Sequence, residues 1–143
     1  MKEITGELWD YYGRTNYIIL ITTNGTVKKN GECVMGRGCA AEAVKRIPGI
    51  AAKLGTFLRH LGNRIYELEF KKLYSFPVKH NWYEQADLKL IRESAEALKY
   101  NAKLNETITF VLPRPGCGNG RLDWKDVRPL LEDLPDNVLV ISK

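Results

Sequence analysis

The chain has 143 residues, of which 44% are hydrophobic and 27% charged, and its formal net charge is +5. These totals predict one globular domain over residues 1–143, because most domains contain about 100–150 residues. They argue against a membrane or secreted protein. The longest apolar run, residues 17–21, is too short to cross a bilayer, and acidic Glu3 and Glu7 occupy positions where a signal peptide would be basic and then apolar.

In the first half of the chain, the patterns predict two strands, a loop and two helices. Residues rich in Ile, Tyr and Thr form the strands, and four glycines mark the long polar loop after them. An apolar period of three to four residues indicates each helix, and Pro48-Gly49 separates the two. The ranges are strands 4–12 and 16–23, loop 24–38, and helices 39–47 and 50–61.

The second half of the chain alternates strands with helices. A strand with one buried face is followed by its return strand, then by a helix, a buried strand and a second glycine-rich loop. Asp123 is predicted to cap the last helix, and Asp126 complements the dipole of that helix. The ranges are strands 65–70 and 73–78, helix 86–100, strand 107–113, loop 114–122, a helix from 124 and strand 137–142.

The order β-β-α-α-β-β-α-β-α-β predicts an α/β fold with three layers, in which a central mixed six-stranded sheet carries helices on both faces. In such folds, ligands bind beyond the carboxyl ends of the central strands. The loops that leave those ends are therefore the candidate ligand-binding segments of the chain.

Two glycine-rich loops, VMGRGCA (34–40) and RPGCGNGRLDW (114–124), connect predicted strands to helices. Glycines let backbone N–H groups approach a phosphate closely, and a helix N-terminus adds partial positive charge. Together the loops could hold a diphosphate, although each could also be an ordinary turn. No P-loop motif is present. GRGCAA matches a dinucleotide fingerprint only by accident, since no acid follows about 20 residues later.

The composition also bears on partners, compartment and metals. We expect a cytosolic monomer without a membrane partner, and the net positive charge favours nucleotides or nucleic acid, although dispersed Lys and Arg also fit a solubilising surface. Three cysteines with no Cys-x-x-Cys pair, and two histidines without metal-ligand spacing, predict free thiols and no metal site or cofactor.

The motifs TTNG, VMGRGCA, SFPVK and PRPGCGNGRLDWKDVRPLL, in this order, resemble the macrodomain family of ADP-ribose-binding modules. The last motif is close to the branch that contains the terminal ADP-ribose glycohydrolase and the antitoxins that remove ADP-ribose from DNA. The resemblance implies a macrodomain-like fold and a ligand that is free ADP-ribose or an ADP-ribosyl group on DNA or protein.

The resemblance also implies roles for individual residues. Glu7 would receive the adenine amino group and Leu8 would be a backbone donor, while Thr23 and Asn24 would line the distal ribose. Gly36, Arg37 and Gly38 match the first phosphate loop, although Arg37 could be only a surface cation. The complete predicted ADP-ribose site is Glu7, Leu8, Thr23, Asn24, Met35, Gly36, Arg37, Gly38, Phe76, Pro115, Gly116, Cys117, Gly118, Asn119, Gly120 and Leu122.

Lys79 in SFPVKHNW is the predicted catalytic residue. In the resembling branch, a lysine just past this strand attacks the anomeric carbon of the distal ribose and forms a covalent intermediate. The attack needs a neutral amine, so the lysine pKa must fall from about 10.4 toward 7. Apolar cover from Phe76, Pro77 or Trp82 would lower it, as would repulsion by Lys71, Lys72 or His80.

Three further positions leave alternatives open. Gly120 occupies the place where the glutamate-directed glycohydrolase carries a second acid, which favours nucleobase-linked ADP-ribose as substrate. His80 could assist proton transfer or could simply face solvent. Trp82 and Tyr83 could stack on a base or pack at a rim.

Four functions compete on this sequence: an ADP-ribosyl hydrolase that uses Lys79, a non-catalytic ADP-ribose reader, an ADP-ribose 1″-phosphate phosphatase or O-acetyl-ADP-ribose deacetylase, and a nucleic-acid-binding module that relies on charge alone.

Overall fold

The computed structural model describes residues 1–143. The strands are β1 (Lys2–Thr5), β2 (Tyr17–Asn24), β3 (Glu67–Glu69), β4 (Leu73–Lys79), β5 (Thr109–Pro113) and β6 (Val138–Ser142). The helices are α1 (Gly38–Arg46), α2 (Ile50–Leu61), α3 (Leu88–Leu104) and α4 (Trp124–Leu131), and a short 3-10 helix covers Leu8–Tyr11. None of the helices combines the length and apolar composition that a membrane-spanning helix needs.

All six strands form one sheet in the order β1-β6-β5-β2-β4-β3, in which only β3 runs antiparallel to its neighbour. The predicted mixed six-stranded sheet is therefore confirmed. Strand β2 lies between β5 and β4, and Ile18 through Ile21 are at most 3% exposed. Its unbroken apolar run fits a strand covered on both faces.

The helices cover both faces of the sheet, as the three-layer prediction requires. Side chains alternate along β2, so Leu20 joins one core cluster while Ile19 and Ile21 join the other. The Leu20 cluster contains the buried residues of α3 and α4, and the other cluster contains those of α1 and α2. This arrangement leaves the carboxyl ends of the parallel strands open between the two helical layers.

The prediction of a strand over residues 4–12 is wrong beyond residue 5. Gly6 adopts a φ of +152°, a conformation that favours glycine, and β1 ends before it. The following residues form the 3-10 helix, in which the Tyr12 N–H bonds the Trp9 carbonyl and Leu8 is buried. Apolar and polar residues alternate here as in a strand, but the turn at Gly6 redirects them.

Strand β4 continues through Pro77 to Lys79, one residue beyond the predicted end at residue 78. Proline has no N–H to give to a neighbouring strand and is tolerated where no partner needs one. The short β3 pairs only with Leu73 and Tyr74, so β4 has no partner on that side at Pro77. Lys79 is therefore the last residue of a strand rather than part of a following loop.

The capping of α4 and the bounds of α3 differ from the prediction. Asp123 occupies the N-cap position of α4, but its side chain makes no capping hydrogen bond. Helix α3 begins at Leu88 and ends at Leu104, and here the Asp87 carboxylate accepts from the Lys89 N–H. The capping carboxylate thus belongs to the helix that follows β4.

Candidate functional site

A cavity of about 750 Å³ opens at the carboxyl ends of the parallel strands. Residues from the ends of β2, β4, β5 and β6 line it, together with the first turn of α1. This is where an open α/β sheet places its ligands, and the volume is in the usual range for small-molecule sites.

Most predicted site residues converge on this cavity. The residues that line it are Glu7, Leu8, Thr23, Asn24, Met35, Gly36, Arg37, Gly38, Lys79, Gly116, Gly118, Asn119 and Gly120. They come from five separate parts of the chain, and the fold brings these parts together at one cavity.

Four predicted residues do not line the cavity. Phe76 is fully buried in the core cluster of α3 and α4, and Cys117 and Leu122 pack against that cluster. Pro115 is also buried, and its carbonyl accepts from the Cys117 thiol at 3.6 Å. These side chains support the second glycine loop and strand β4 from below.

The two glycine loops lie against each other. Gly38 has a φ of +59°, and a Cβ added there would be 3.2 Å from the Asn119 amide nitrogen. A Cβ at Gly36 or Gly118 would meet no atom within 4 Å, so the backbone is open at both positions. A ligand can therefore approach the main chain of both loops.

Six backbone N–H groups at the meeting point donate to no protein acceptor. They belong to the first turn of α1 and to the second glycine loop, at Gly38, Cys39, Ala40, Gly118, Asn119 and Gly120. Free N–H groups at a helix N-terminus and in a glycine loop form an anion-binding surface. Their number and their origin in two loops suit a ligand with two adjacent phosphates.

Charge in the cavity is uneven. Three of the lining cations are paired with carboxylates: Lys28 with Glu32 at 3.8 Å, Arg114 with Glu3 at 3.5 Å, and Lys143 with Glu7 at 3.6 Å. The other two lining cations, Arg37 and Lys79, have no ion-pair partner. Uncompensated positive charge is therefore concentrated where α1 begins and β4 ends.

Lys79 is fixed at both its backbone and its side chain. Its carbonyl accepts a 2.9 Å hydrogen bond from the side-chain amide of Asn63, and its Nζ donates to the Trp82 carbonyl at 3.3 Å. Burial lowers the pKa of Lys79, and repulsion by Arg121 and then Arg37 lowers it further. A lowered pKa increases the fraction of neutral amine, the form that can act as a nucleophile.

The source of this repulsion differs from the prediction. Lys71 and Lys72 lie at the opposite end of β4, and the His80 ring bonds the Asp87 carboxylate at 2.7 Å, outside the cavity lining. The relevant cations are Arg37 and Arg121, which are 42 residues from Lys79 in sequence on each side. Their proximity arises only from the contact between the two glycine loops.

Asn24 holds the loop that follows β2. Its amide nitrogen donates to the Val34 carbonyl at 2.9 Å, and its oxygen accepts from the Thr26 N–H at 3.0 Å. These bonds brace the loop that leads to Gly36, and because Asn24 also lines the cavity, its contact with the distal ribose stays a prediction.

The opposite end of the cavity contains Glu7, Leu8 and Trp9. The Arg46 guanidinium stacks over the Trp9 ring at 4.6 Å, which fixes the indole. Trp9 was not predicted, although it directly follows the GEL motif that was used to place Glu7. Trp82 also lines the cavity, and the sequence suggested base stacking, rim packing or apolar cover of Lys79 for it.

The cysteine thiols of the site are poor nucleophiles. All three cysteines are free, and burial raises the pKa of Cys39, the one that lines the cavity. Burial also raises the pKa of Cys33 to about 12. Thiols held in the protonated form do not attack, whereas the lowered pKa of Lys79 increases its neutral, nucleophilic fraction. No group of three His, Cys, Asp or Glu side chains could hold a metal ion.

Comparison with known proteins fits this geometry. A scan against models of protein families gives no match. The chain resembles the solved macrodomain of Mycobacterium tuberculosis DarG with a TM-score of 0.76 and 21% identity, over 99% of this chain and 97% of that one. The chain has the macrodomain fold. The match covers essentially all of this chain, including both glycine loops.

Two curated proteins are similar to this chain in sequence. The ADP-ribose glycohydrolase OARD1 of Bos taurus is 25% identical over 103 residues, which cover 72% of this chain and 68% of that protein. A DNA ADP-ribosyl transferase–DNA ADP-ribosyl glycohydrolase fusion protein of Thermosipho africanus is 25% identical over 74% of this chain. The chain matches only 34% of the fusion protein's length.

Gly120 leaves no space for a side chain in this fold. A Cβ there would be 2.5 Å from the Gly116 carbonyl oxygen and 2.8 Å from the Ala86 Cβ. Main-chain atoms cannot yield as a flexible side chain can, so the loop excludes an acid at this position. Any chemistry of the site has to proceed without a carboxylate from residue 120.

Proposed function

We propose that this macrodomain binds ADP-ribose and removes ADP-ribosyl groups from an acceptor, with Lys79 as the nucleophile. The main support is that Lys79 has a lowered pKa and lies beside two loops with unpaired N–H groups. A nucleophile next to a diphosphate cradle is what cleavage at the distal ribose requires.

The binding half of the proposal follows from chemical complementarity. Two adjacent phosphates match the free N–H groups of the two loops and the unpaired positive charge of Arg37. The adenosine then extends toward Glu7, Leu8 and Trp9, and the distal ribose toward Lys79. The names of both curated relatives, each an ADP-ribosyl glycohydrolase, support this ligand.

The proposed reaction has three steps at the anomeric carbon C1″. The neutral Nζ of Lys79 attacks C1″, and the bond from C1″ to the acceptor breaks with its electron pair leaving on the acceptor, which takes up the proton released by the attacking amine. The ribose ring then opens: the C1″–O4″ bond breaks, O4″ takes the remaining proton of the nitrogen, and a C1″=N Schiff base forms. Water then hydrolyses this adduct, which releases ADP-ribose and regenerates the amine.

The acceptor in this proposal is a nucleobase rather than a protein carboxylate. The steric exclusion of an acid at Gly120 removes the second catalytic group that the resembling glutamate-directed enzyme carries. The Thermosipho relative, by its name, acts on ADP-ribosylated DNA. Both observations favour an acceptor that a lysine alone can displace.

The test separates binding from turnover. Lys79→Ala should bind ADP-ribose like the native protein in calorimetry and should release no ADP-ribose from a modified oligonucleotide. Lys103→Ala, which changes an exposed lysine near the end of α3, is the matched control and should retain both properties. Borohydride added during turnover should attach one ADP-ribose to the native chain and none to Lys79→Ala.

Each component of the proposal can fail separately. If Lys79→Ala keeps its turnover, the nucleophile assignment is wrong. If the native protein binds ADP-ribose but cleaves neither modified DNA nor modified protein, it is a reader. If it does not bind ADP-ribose at millimolar concentration, the whole proposal is wrong.

A further inference from the structure

Two acidic side chains, Glu7 and Glu42, line the cavity. Glu7 follows the turn at Gly6, and Glu42 lies one turn beyond the N-terminus of α1. An ionised carboxylate only accepts hydrogen bonds, so each acid can bind a donor group of a ligand. The protein engages the two acids differently, because only Glu7 has an ion-pair partner.

Glu7 is already paired with a cation of the protein. Its Oε2 atom lies 3.6 Å from the Nζ atom of Lys143, which lines the cavity as well. An exposed ion pair contributes little to stability, but its ammonium group competes with a ligand donor for the same carboxylate. The pair also offsets the negative charge that Glu7 presents to a ligand.

Glu42 carries the uncompensated negative charge of the cavity lining. It is exposed to solvent, and it belongs to none of the ion pairs of the protein. Burial raises the pKa of the Cys39 thiol, and the charge of Glu42 raises it further. The Glu42 carboxylate is therefore close to the cavity wall and free to accept a hydrogen bond from a ligand.

The position of Glu42 along α1 indicates which part of a ligand it would meet. Cys39, Glu42 and Arg46 are three and four residues apart, so they share one face of the helix. Cys39 belongs to the first turn with its free N–H groups, and the Arg46 guanidinium lies 4.6 Å from the centroid of the Trp9 ring. Glu42 thus lies about one turn from each, between the proposed diphosphate position and Trp9. In an ADP moiety the ribose separates the base from the diphosphate, so the base comes next to Glu42 when the adenosine extends toward Trp9.

An adenine base offers a donor that suits this acid. Its 6-amino group donates hydrogen bonds, whereas the 6-oxo group of a hypoxanthine or guanine base accepts them. A free carboxylate therefore attracts the amino group and repels the oxo group. Arg46 could donate to an oxo group, but its guanidinium is stacked over the Trp9 ring.

We propose that Glu42, rather than Glu7, makes the cavity specific for a 6-aminopurine base. The Glu42 carboxylate accepts from the 6-amino group, while Glu7 stays paired with Lys143. The inference rests on the proposed function, because the diphosphate bound by the two glycine loops places the base at Glu42. It differs from the resemblance, which implied Glu7 for this contact.

The test compares ADP-ribose with inosine diphosphate ribose, its hypoxanthine analogue, by calorimetry. The two ligands differ only in the base, so the ratio of their affinities reports base recognition. The native protein should bind ADP-ribose about tenfold more tightly than the analogue. Glu42→Gln should reduce this ratio to about twofold or less, because an amide can turn either to accept from an amino group or to donate to an oxo group.

Glu7→Gln is the decisive comparison, and Glu93→Gln is the matched control. Glu93 is exposed on α3 and does not line the cavity, so Glu93→Gln should bind both ligands like the native protein. Glu7→Gln should keep the native ratio of the two affinities. All three changes are at exposed side chains, so thermal melts should match that of the native protein. A ratio that is lost in Glu7→Gln and kept in Glu42→Gln would overturn the inference.

Binding of ADP-ribose by the native protein separates this inference from the proposed function. If the native protein binds both ligands equally, or if Glu42→Gln keeps the native ratio, the inference is wrong while ADP-ribose binding stands. If the native protein binds neither ligand, the proposed function is wrong and the inference falls with it. If the ratio depends on Glu42 as expected but no ADP-ribosyl group is cleaved, the inference stands and the catalytic half of the proposed function is wrong.

Discussion

At the scale of single residues, the proposed activity depends on the electrostatic environment of Lys79. Its pKa is lowered by burial and by the cations Arg121 and Arg37, and the proposed attack needs its neutral form. The rate of cleavage should therefore rise with pH along one ionisation and level off below the ordinary lysine pKa. For a thiol or carboxylate nucleophile, the pH–rate profile would rise in a different pH range.

Arg121→Gln tests the cause of that lowered pKa. Removal of the guanidinium removes repulsion of the ammonium, so the pKa of Lys79 rises and less neutral amine is present at pH 7. We expect kcat at pH 7 to fall and to recover at higher pH, with the whole limb shifted upward. Arg59→Gln, on the exposed surface of α2, should leave the pH–rate profile unchanged. A profile that does not move in Arg121→Gln would show that Arg121 does not contribute to the lowered pKa of Lys79.

Asn63 positions Lys79 without touching the substrate. Its amide donates to the Lys79 carbonyl at 2.9 Å, while its own oxygen is buried without a partner. Asn63→Ala leaves a backbone carbonyl unpaired, which should cost about 1–3 kcal/mol of stability. A small displacement of Lys79 should lower kcat by up to about 100-fold, because attack needs precise alignment.

The measurement for Asn63 must distinguish positioning from general instability. Free ADP-ribose should bind normally to Asn63→Ala in calorimetry while kcat falls. Asn101→Ala removes a comparable 2.9 Å side-chain bond to the Ala97 carbonyl within α3, and it should change stability without changing kcat. If both variants lose activity to the same degree, Asn63 has no positioning role.

At the scale of elements, the second glycine loop contains one open position and one crowded position. A Cβ at Gly118 meets nothing within 4 Å, whereas a Cβ at Gly120 is 2.5 Å from the Gly116 carbonyl oxygen. Gly118→Ala should fold with an unchanged melting temperature and bind ADP-ribose on the order of tenfold more weakly, because the methyl group faces the ligand. Calorimetry and a thermal melt measure the two effects.

Gly120→Ala should act first on the stability of the protein, whereas Gly118→Ala acts on ligand binding. Overpacking against main-chain atoms should destabilise the protein by about 1–3 kcal/mol, visible as a lower denaturation midpoint before any ligand is added. A Gly118→Ala protein that binds ADP-ribose normally would contradict the view that the ligand contacts this backbone. A Gly120→Ala protein with the same denaturation midpoint as the native protein would contradict the close contacts at Gly120.

Local patterns predicted the elements well where one rule decided them. Helix α2 spans Ile50–Leu61 as expected, because Pro48-Gly49 and Gly62 mark its ends, and β2 is a plain apolar run. The 4–12 strand failed because Gly6 turns the chain, which alternation of residues cannot reveal. The end of β4 was predicted one residue early, because tolerance of Pro77 depends on where β3 stops.

The sequence predicted the parts of the site that are formed by local backbone segments. Glycine loops and a lysine after a strand are visible in sequence, and the structure brings them to one cavity. The contacts that tune Lys79 were not visible, since Arg121, Arg37 and Asn63 approach it only through tertiary structure. Phe76 was misplaced because a strand has two faces and its side chain points to the core.

At the scale of the whole molecule, a ligand that binds only the folded state should stabilise it. Free ADP-ribose at about 100 times its Kd should add about 2.7 kcal/mol of stability. For a domain of this size, that corresponds to a rise in Tm of about 5–11 °C. AMP lacks the second phosphate and the distal ribose, and should raise Tm less at the same concentration. Equal shifts for the two ligands would show that the second glycine loop does not contribute to binding.

The tight packing around Gly120 limits how this protein could acquire a different acceptor. Asp or Glu at this position alone would collide with Gly116 and Ala86 before it could serve as an acid. A change of specificity toward protein carboxylates therefore needs at least two coordinated substitutions, the first of which creates room. Evolution by single substitutions would have to pass through a destabilised protein. Random mutagenesis should therefore rarely introduce an acid at residue 120. Libraries that vary positions 86, 116 and 120 together could introduce one.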